Sequence, residues 1–190
     1  MIRISIVGDI GSGKSYIAKL FNYPVFNADV EVSKIYKKDK KCFKKIKNKF
    51  PQNNFTFPIK KKQLIDCISS DIKNLKKISN IVHPIVRKKL NIFLKKNNNK
   101  KFVILDIPLF FENKINKKKD IIIFIQANKS QIINRLKKRK GFDKNLLNLF
   151  KKIQLPLHLK KRKSHFIIKN NFLNKTVKKS VKYILNKVKK

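Results

Sequence analysis

Eight consecutive residues, Gly8-Asp9-Ile10-Gly11-Ser12-Gly13-Lys14-Ser15, fit the spacing G-x-x-x-x-G-K-[ST]. The chemistry this spacing serves is the holding of phosphates. Glycines let the backbone curl so that successive N–H groups turn inward, a following helix adds partial positive charge, and Lys14 adds a full one. The Ser15 hydroxyl is a magnesium ligand of the type that accompanies such phosphates. A chance match in a turn is the competing reading. Against it, three of the four glycines in the chain (Gly8, Gly11 and Gly13) fall within six residues.

Few other residues have the right chemistry, because the chain holds only ten acids. Asp29 ends the run Pro24-Val25-Phe26-Asn27-Ala28-Asp29 and Asp106 ends Phe102-Val103-Ile104-Leu105-Asp106. Both runs read as strands, and ligands of open parallel sheets bind beyond the carboxyl ends of strands. Asp29 is either a helix N-cap or a group facing the phosphates, and the two roles are compatible. Asp106 is either a turn acid or the second, metal-associated acid of phosphate-binding loops, reached through water. Arginine offers a planar fork suited to phosphate. Arg87, Arg135, Arg139 and Arg162 are therefore candidates for anion binding or are solvated surface charges, whereas Arg3, inside the first strand, is expected to be structural. Arg135 and Arg139 stand four apart and can share one helical face.

These residues need a scaffold of alternating strands and helices. Ile2–Val7 reads as a strand, Tyr16–Phe21 as a helix and residues 24–29 as a second strand, which makes a βαβ unit and implies a parallel sheet. Residues 30–97 are helical in pattern, with Cys42, Phe43, Ile46 and Phe50 forming an amphipathic stripe. His83-Pro84 is expected to interrupt this region, with Pro84 in the first turn of a new helix. Residues 102–106 and 120–125 read as buried strands, Ser130–Lys138 as a helix and His165–Ile168 as the last strand. Leu173–Val188 reads as a closing helix. Residues 139–163 are basic and fit either a lid over bound phosphates or an ordinary helical hairpin.

The formal charge of +40 invites a nucleic-acid partner. Its make-up argues otherwise: 45 lysines stand against five arginines and are spread along the whole chain among Asn, Ile and Phe. That is compositional drift across surface positions, not a clustered patch with interleaved aromatics. Neither a transmembrane run nor a signal peptide is present in the pattern. Cys42 and Cys67 form no framework and fit a reducing, cytoplasmic setting.

Five motifs together resemble the dephospho-CoA kinase family. Val7–Ser15 resembles the family's T-G-G-I-G-S-G-K-S, Phe26-Asn27-Ala28-Asp29 its D-A-D strand end, and His83-Pro84 its H-P helix start. Leu105-Asp106-Ile107-Pro108-Leu109-Phe110-Phe111-Glu112 resembles its D-[IV]-P-L-L-[FY]-E signature. Arg135 and Arg139 through Gln154 to Asn170 resemble its R-x-x-x-R…Q…N segment. The resemblance implies a three-layer α/β/α P-loop kinase with a five-stranded parallel sheet. It would be one domain, with its core in 1–29, 100–138 and 164–190, a helical acceptor-binding insertion over about 30–99 and a short lid over about 139–163.

The implied reaction is ATP-dependent phosphorylation of the ribose 3′-hydroxyl of dephospho-CoA, the last step of coenzyme A synthesis, by a monomer with no membrane or specific nucleic-acid partner. The resemblance gives Gly11, Ser12, Gly13, Lys14, Ser15 and Tyr16 to the ATP phosphates and Arg139 and Asn170 to ATP. It makes Lys14, Asp29 and Arg135 catalytic, and puts Asp29, His83, Arg87 and Glu112 on the acceptor side. Ser15 and Asp106 would serve Mg2+. The chain departs from the family pattern at Asp9, Asn27, Lys140 and Ser164-His165. A nucleoside or nucleotide kinase and a nucleic-acid-stimulated NTPase are the competing functions.

Overall fold

Arg3 to Gly8 are buried without a break in β1 (Ile2–Gly8), the mark of a central strand covered on both faces. The computed structural model of the protein describes residues 1–138 and 143–189. Around β1 stand β2 (Val25–Asn27), β3 (Phe102–Asp106), β4 (Ile121–Ala127) and β5 (Phe166–Asn170). All pairs are parallel, in the order β2-β3-β1-β4-β5.

The chain divides into two compact units. The first comprises residues 1–27 and 97–190 and the second residues 28–96. In the first unit, α1 (Lys14–Leu20) and α9 (Asn174–Lys189) cover one face of the sheet. Ile17, Ala18 and Phe21 meet Val177, Val181 and Ile184 over Ile4, Ile6, Ile104 and Ile123, all essentially dry. Each of these side chains larger than alanine contributes roughly 1.5–3 kcal/mol on burial. Three further helices complete this unit: α6 (Lys129–Lys137), α7 (Lys144–Lys152) and α8 (Leu157–Arg162), the last lying against β1 on the opposite face. The result is the three-layer α/β/α arrangement with a five-stranded parallel sheet that the sequence implied. Arg3 is structural, as expected: its guanidinium bonds Asp120 at 2.7 Å and the Ile115 carbonyl at 2.9 Å, which pins the loop leading into β4.

The second unit is helical: α2 (Ala28–Lys38), α3 (Lys40–Lys49), α4 (Lys61–Ser70) and α5 (Lys73–Lys96). Cys42, Ile46 and Phe50 are buried as the stripe predicts, and both cysteines are free and buried. Burial pushes the Cys42 thiol up to about 11. Glu31 ties α2 to Lys89 of α5 at 3.5 Å.

Three expectations are corrected. β2 stops at Asn27, and Ala28 and Asp29 open α2 instead of ending the strand. The cause is electrostatic, because Asp29 and Glu31 both fall in the first turn, where the exposed N–H groups favour acids. His83-Pro84 does not break the helix, and α5 runs 24 residues with Pro84 inside it. The missing bond costs about 3 kcal/mol. A buried stripe, Ile78, Val82 and Leu90, continues through the proline at helical spacing and offsets it. Lastly, β5 begins one residue later than expected, at Phe166. His165 still extends the pairing: its N–H donates to the Ile122 carbonyl at 2.8 Å and its ring Nδ1 accepts the Ile122 N–H at 3.0 Å.

Candidate active site

The phosphate-binding loop leaves the carboxyl end of β1 and feeds α1 through Gly13. Gly13 is left-handed, at φ +92°, and a β-carbon there would lie 2.5 Å from the Asn170 amide nitrogen. Gly8 is equally constrained, since a β-carbon would stand 2.7 Å from the Ile125 carbonyl oxygen. Within the loop, the Lys14 ammonium donates to the carbonyls of Asp9 at 2.7 Å and Gly8 at 3.2 Å. The loop is braced from β5. The Asn170 amide donates to the Ser12 carbonyl at 2.8 Å and its oxygen accepts the Phe172 N–H at 2.8 Å. Ser12 is fully buried, and its hydroxyl has no partner among the described residues.

Asp9, the loop's departure from the family pattern, turns back on itself. Its carboxylate accepts the Ile10 N–H at 2.7 Å, within its own turn. This local bond fixes the added negative charge at the start of the loop.

Asp106 ends β3 opposite Ile6 of β1 and Asn27 of β2. It is 2% exposed. The Asn27 amide donates to its carboxylate at 2.5 Å and reaches the Ser15 hydroxyl oxygen at 3.5 Å. Burial raises the Asp106 carboxyl above its ordinary value, although the Ser15 hydrogen bond, the Lys14 charge and the Asn27 hydrogen bond pull the other way. Lys14, Ser15, Asn27 and Asp106 thus share one end of the sheet.

Arg135, exposed near the end of α6, stacks its guanidinium over the Phe172 ring at 4.4 Å. Phe172 itself holds a left-handed backbone, φ +63°, at the tip of the turn that Asn170 organises. Tyr16 is also exposed, and its hydroxyl bonds the Asn174 side chain at the start of α9. Arg139 and Lys140 lie outside the described residues.

Glu112 is held apart from this cluster. Its carboxylate pairs with Lys160 of α8 at 2.9 Å and accepts the Leu155 N–H at 2.7 Å. Lys160 and Phe172 escaped the sequence reading. Lys160 is one lysine among 45, and a positive φ at a phenylalanine leaves no mark in composition. The one signal for Phe172 was an aromatic directly after Asn170-Asn171.

Asp29, His83 and Arg87 belong to the helical unit. Asp29 is exposed in the first turn of α2. His83 and Arg87 sit one turn apart on α5. Burial, and next the Arg87 charge, pull the His83 imidazole below its ordinary value.

A parallel sheet with a glycine-rich phosphate loop after its central strand, and a buried acid at the neighbouring strand end, defines a P-loop phosphotransferase. The family profile described as dephospho-CoA kinase matches residues 2–175. The chain belongs to the dephospho-CoA kinase family. A dephospho-CoA kinase of Wolbachia sp. subsp. Brugia malayi is 34% identical over 188 residues, covering 96% of each chain. Among solved structures, a Thermus thermophilus protein superposes with a TM-score of 0.78 at 25% identity, covering 98% of this chain and 97% of that one. Dephospho-CoA kinase from Campylobacter jejuni superposes at 0.65 and 19% identity, over 98% and 96% respectively, and so shares the fold.

Proposed function

We propose that this protein transfers the γ-phosphoryl group of ATP to the ribose 3′-hydroxyl of dephospho-CoA, giving coenzyme A and ADP. The observation that carries the reading is the shared strand end of Lys14, Ser15 and Asp106 in a chain of this family. The loop backbone from Gly11 to Tyr16 would bind the ATP phosphates. Lys14 would stabilise the charge that builds on the β,γ-bridging oxygen as its bond to the γ-phosphorus breaks, a task that needs a positioned cation and little covalent chemistry. Arg135 would leave its stack on Phe172 to meet the same phosphates, together with Arg139. The turn at Asn170 would border the adenine. Asp29 follows the last residue of β2 by two positions. It would orient the 3′-hydroxyl and accept its proton late, which asks little basicity of it in a loose transition state. His83 and Arg87 would serve the acceptor side, and Glu112 would do so through the loop it anchors, its carboxylate being taken by Lys160 and the Leu155 N–H.

The donor set fits magnesium. Ser15 and Asp106 offer hard oxygen ligands, and among the described residues no group of three or more His, Cys, Asp or Glu could hold a metal by itself. An ion that prefers phosphate oxygens and water, with one or two protein contacts, matches such a site. When bound, Mg2+ would neutralise charge on the β- and γ-phosphates. Asn27 would keep Asp106 aimed at that position, and Ser15 would stay within reach of both.

Among the described residues no helix is long and apolar enough to cross a membrane. A cytoplasmic monomer is the state we propose. ADP release measured across dephospho-CoA, nucleosides and RNA tests the reading. Turnover confined to dephospho-CoA is expected. Release driven by nucleosides or by RNA would transfer the site to one of the competing functions.

A further inference from the structure

Lys160 is 1% exposed, the most buried lysine among the described residues. Lys14 is the only other buried lysine among the described residues, and the interior is a costly place for a charge: several kcal/mol per ion before any partner is counted. Its surroundings meet the cost with a full set of acceptors. An ammonium has three N–H donors. Lys160 directs them to Glu112 Oε1 at 2.9 Å, Gln154 Oε1 at 3.0 Å and the Pro108 carbonyl at 3.4 Å. Glu112 Oε1 also takes the Leu155 N–H at 2.7 Å. Two segments meet here. One is the α7–α8 corner, which supplies Gln154, Leu155 and Lys160. The other is the loop that springs from Asp106, with Pro108 two residues on and Glu112 six. The far end of that loop is pinned separately, where Arg3 bonds the Ile115 carbonyl.

We propose that Lys160 is a positioning residue for phosphoryl transfer: it clamps the Pro108–Glu112 loop, and through it the Asp106 strand end, to the α7–α8 corner. The proposal rests on the kinase reading above. A buried ion pair adds little net stability over an apolar pair of similar volume. What it adds is a directional link, since three acceptors around one ammonium allow few alternative arrangements. All three N–H donors of Lys160 are taken, which leaves none for a substrate. The effect reaches the reaction through Asp106, and geometry near a reacting group is sensitive: a misplacement of about 1 Å costs about 10²-fold.

The test is the double variant Lys160→Met with Glu112→Leu, which removes both charges and keeps the volume. We expect a melting temperature at or above that of the wild type. With dephospho-CoA, kcat should fall about 10²-fold while the affinity for a fluorescent ATP analogue changes by less than about twofold. A double variant with kcat within about twofold of the wild type overturns the proposal, because the pair is then only part of the scaffold. Should the double variant not fold, Gln154→Leu decides, since it leaves the ion pair whole. An unchanged melting temperature with kcat lowered about tenfold supports the role, and unchanged kcat overturns it. A wild-type protein that binds MgATP but phosphorylates no dephospho-CoA overturns the kinase reading, and the positioning role with it, before any variant is compared.

Discussion

The phosphate loop and the α7–α8 corner solve the problem of holding a lysine in opposite ways. At the loop the frame is backbone: Lys14 bonds the carbonyls of Gly8 and Asp9, six and five residues away in sequence. At the corner the frame is side chains from distant segments, with Lys160 reaching back 52 residues to Pro108 and Glu112 reaching forward 43 to the Leu155 N–H. The loop is therefore written as a spacing of residue types, and the corner is not. The difference also predicts how each fails. Damage at the loop should strike binding and chemistry together, whereas damage at the corner should strike chemistry with ATP affinity kept.

Lys14→Met should do the most harm. We expect kcat to fall by about 10²–10³-fold, the range for losing one preorganised charge at a transition state. Steady-state kinetics check it. A smaller loss than that of the Lys160→Met, Glu112→Leu variant would reverse the ranking of the two regions.

Gly13→Ala comes next. A left-handed φ of +92° and a β-carbon 2.5 Å from the Asn170 amide leave no room for the methyl group. The strain is about 1–3 kcal/mol, visible as a lower melting temperature, and nucleotide affinity should fall with it. Replacing Asn170 by Ser in the same chain should return part of the stability, because the clash is with that side chain.

Asp106→Asn separates function from stability. Burial raises the Asp106 carboxyl above its ordinary value. The folded chain therefore holds a proton there that the unfolded chain has already released, over the window from the unfolded value of 3.8 to the raised folded one. Stability is lost as pH rises through that window. The carboxylate is a burden on the fold at neutral pH and none below the window. Asp106→Asn should melt higher than the wild type at neutral pH and alike in strong acid, while its turnover drops. Thermal melts and kinetics across pH check both signs.

The smallest effect is expected at Phe172→Ala. Its stack with Arg135 is an exposed contact worth about 0.5–1 kcal/mol, which corresponds to a change of about two- to fivefold in the Michaelis constant for ATP.

How much of this was legible in the residues follows from the same contrast. The central strand, the phosphate loop and the Asp106 strand end were readable because each is a local pattern: a buried run, a glycine spacing, an acid after four apolar residues. The helix through Pro84 was not, because a proline reads as a break and the buried stripe that overrides it is a tertiary fact. β2 was read two residues too far at its carboxyl end, since the preference of Asp29 and Glu31 for a helix start competes with the strand that precedes them. Glu112 was marked by the family resemblance. Its partner Lys160 was hidden by the lysine excess, where burial alone tells one copy from the rest. Asn170 was expected beside the nucleotide, and its side chain proves to brace the loop through the Ser12 carbonyl.

The central claim is a phosphoryl transfer to one hydroxyl of one acceptor, so the product is the most direct test. Phosphorus NMR of dephospho-CoA incubated with the protein and MgATP should show one new phosphomonoester at the ribose 3′ position, formed in step with ADP. ADP formed without that signal, or a phosphate appearing on another group, would contradict the account.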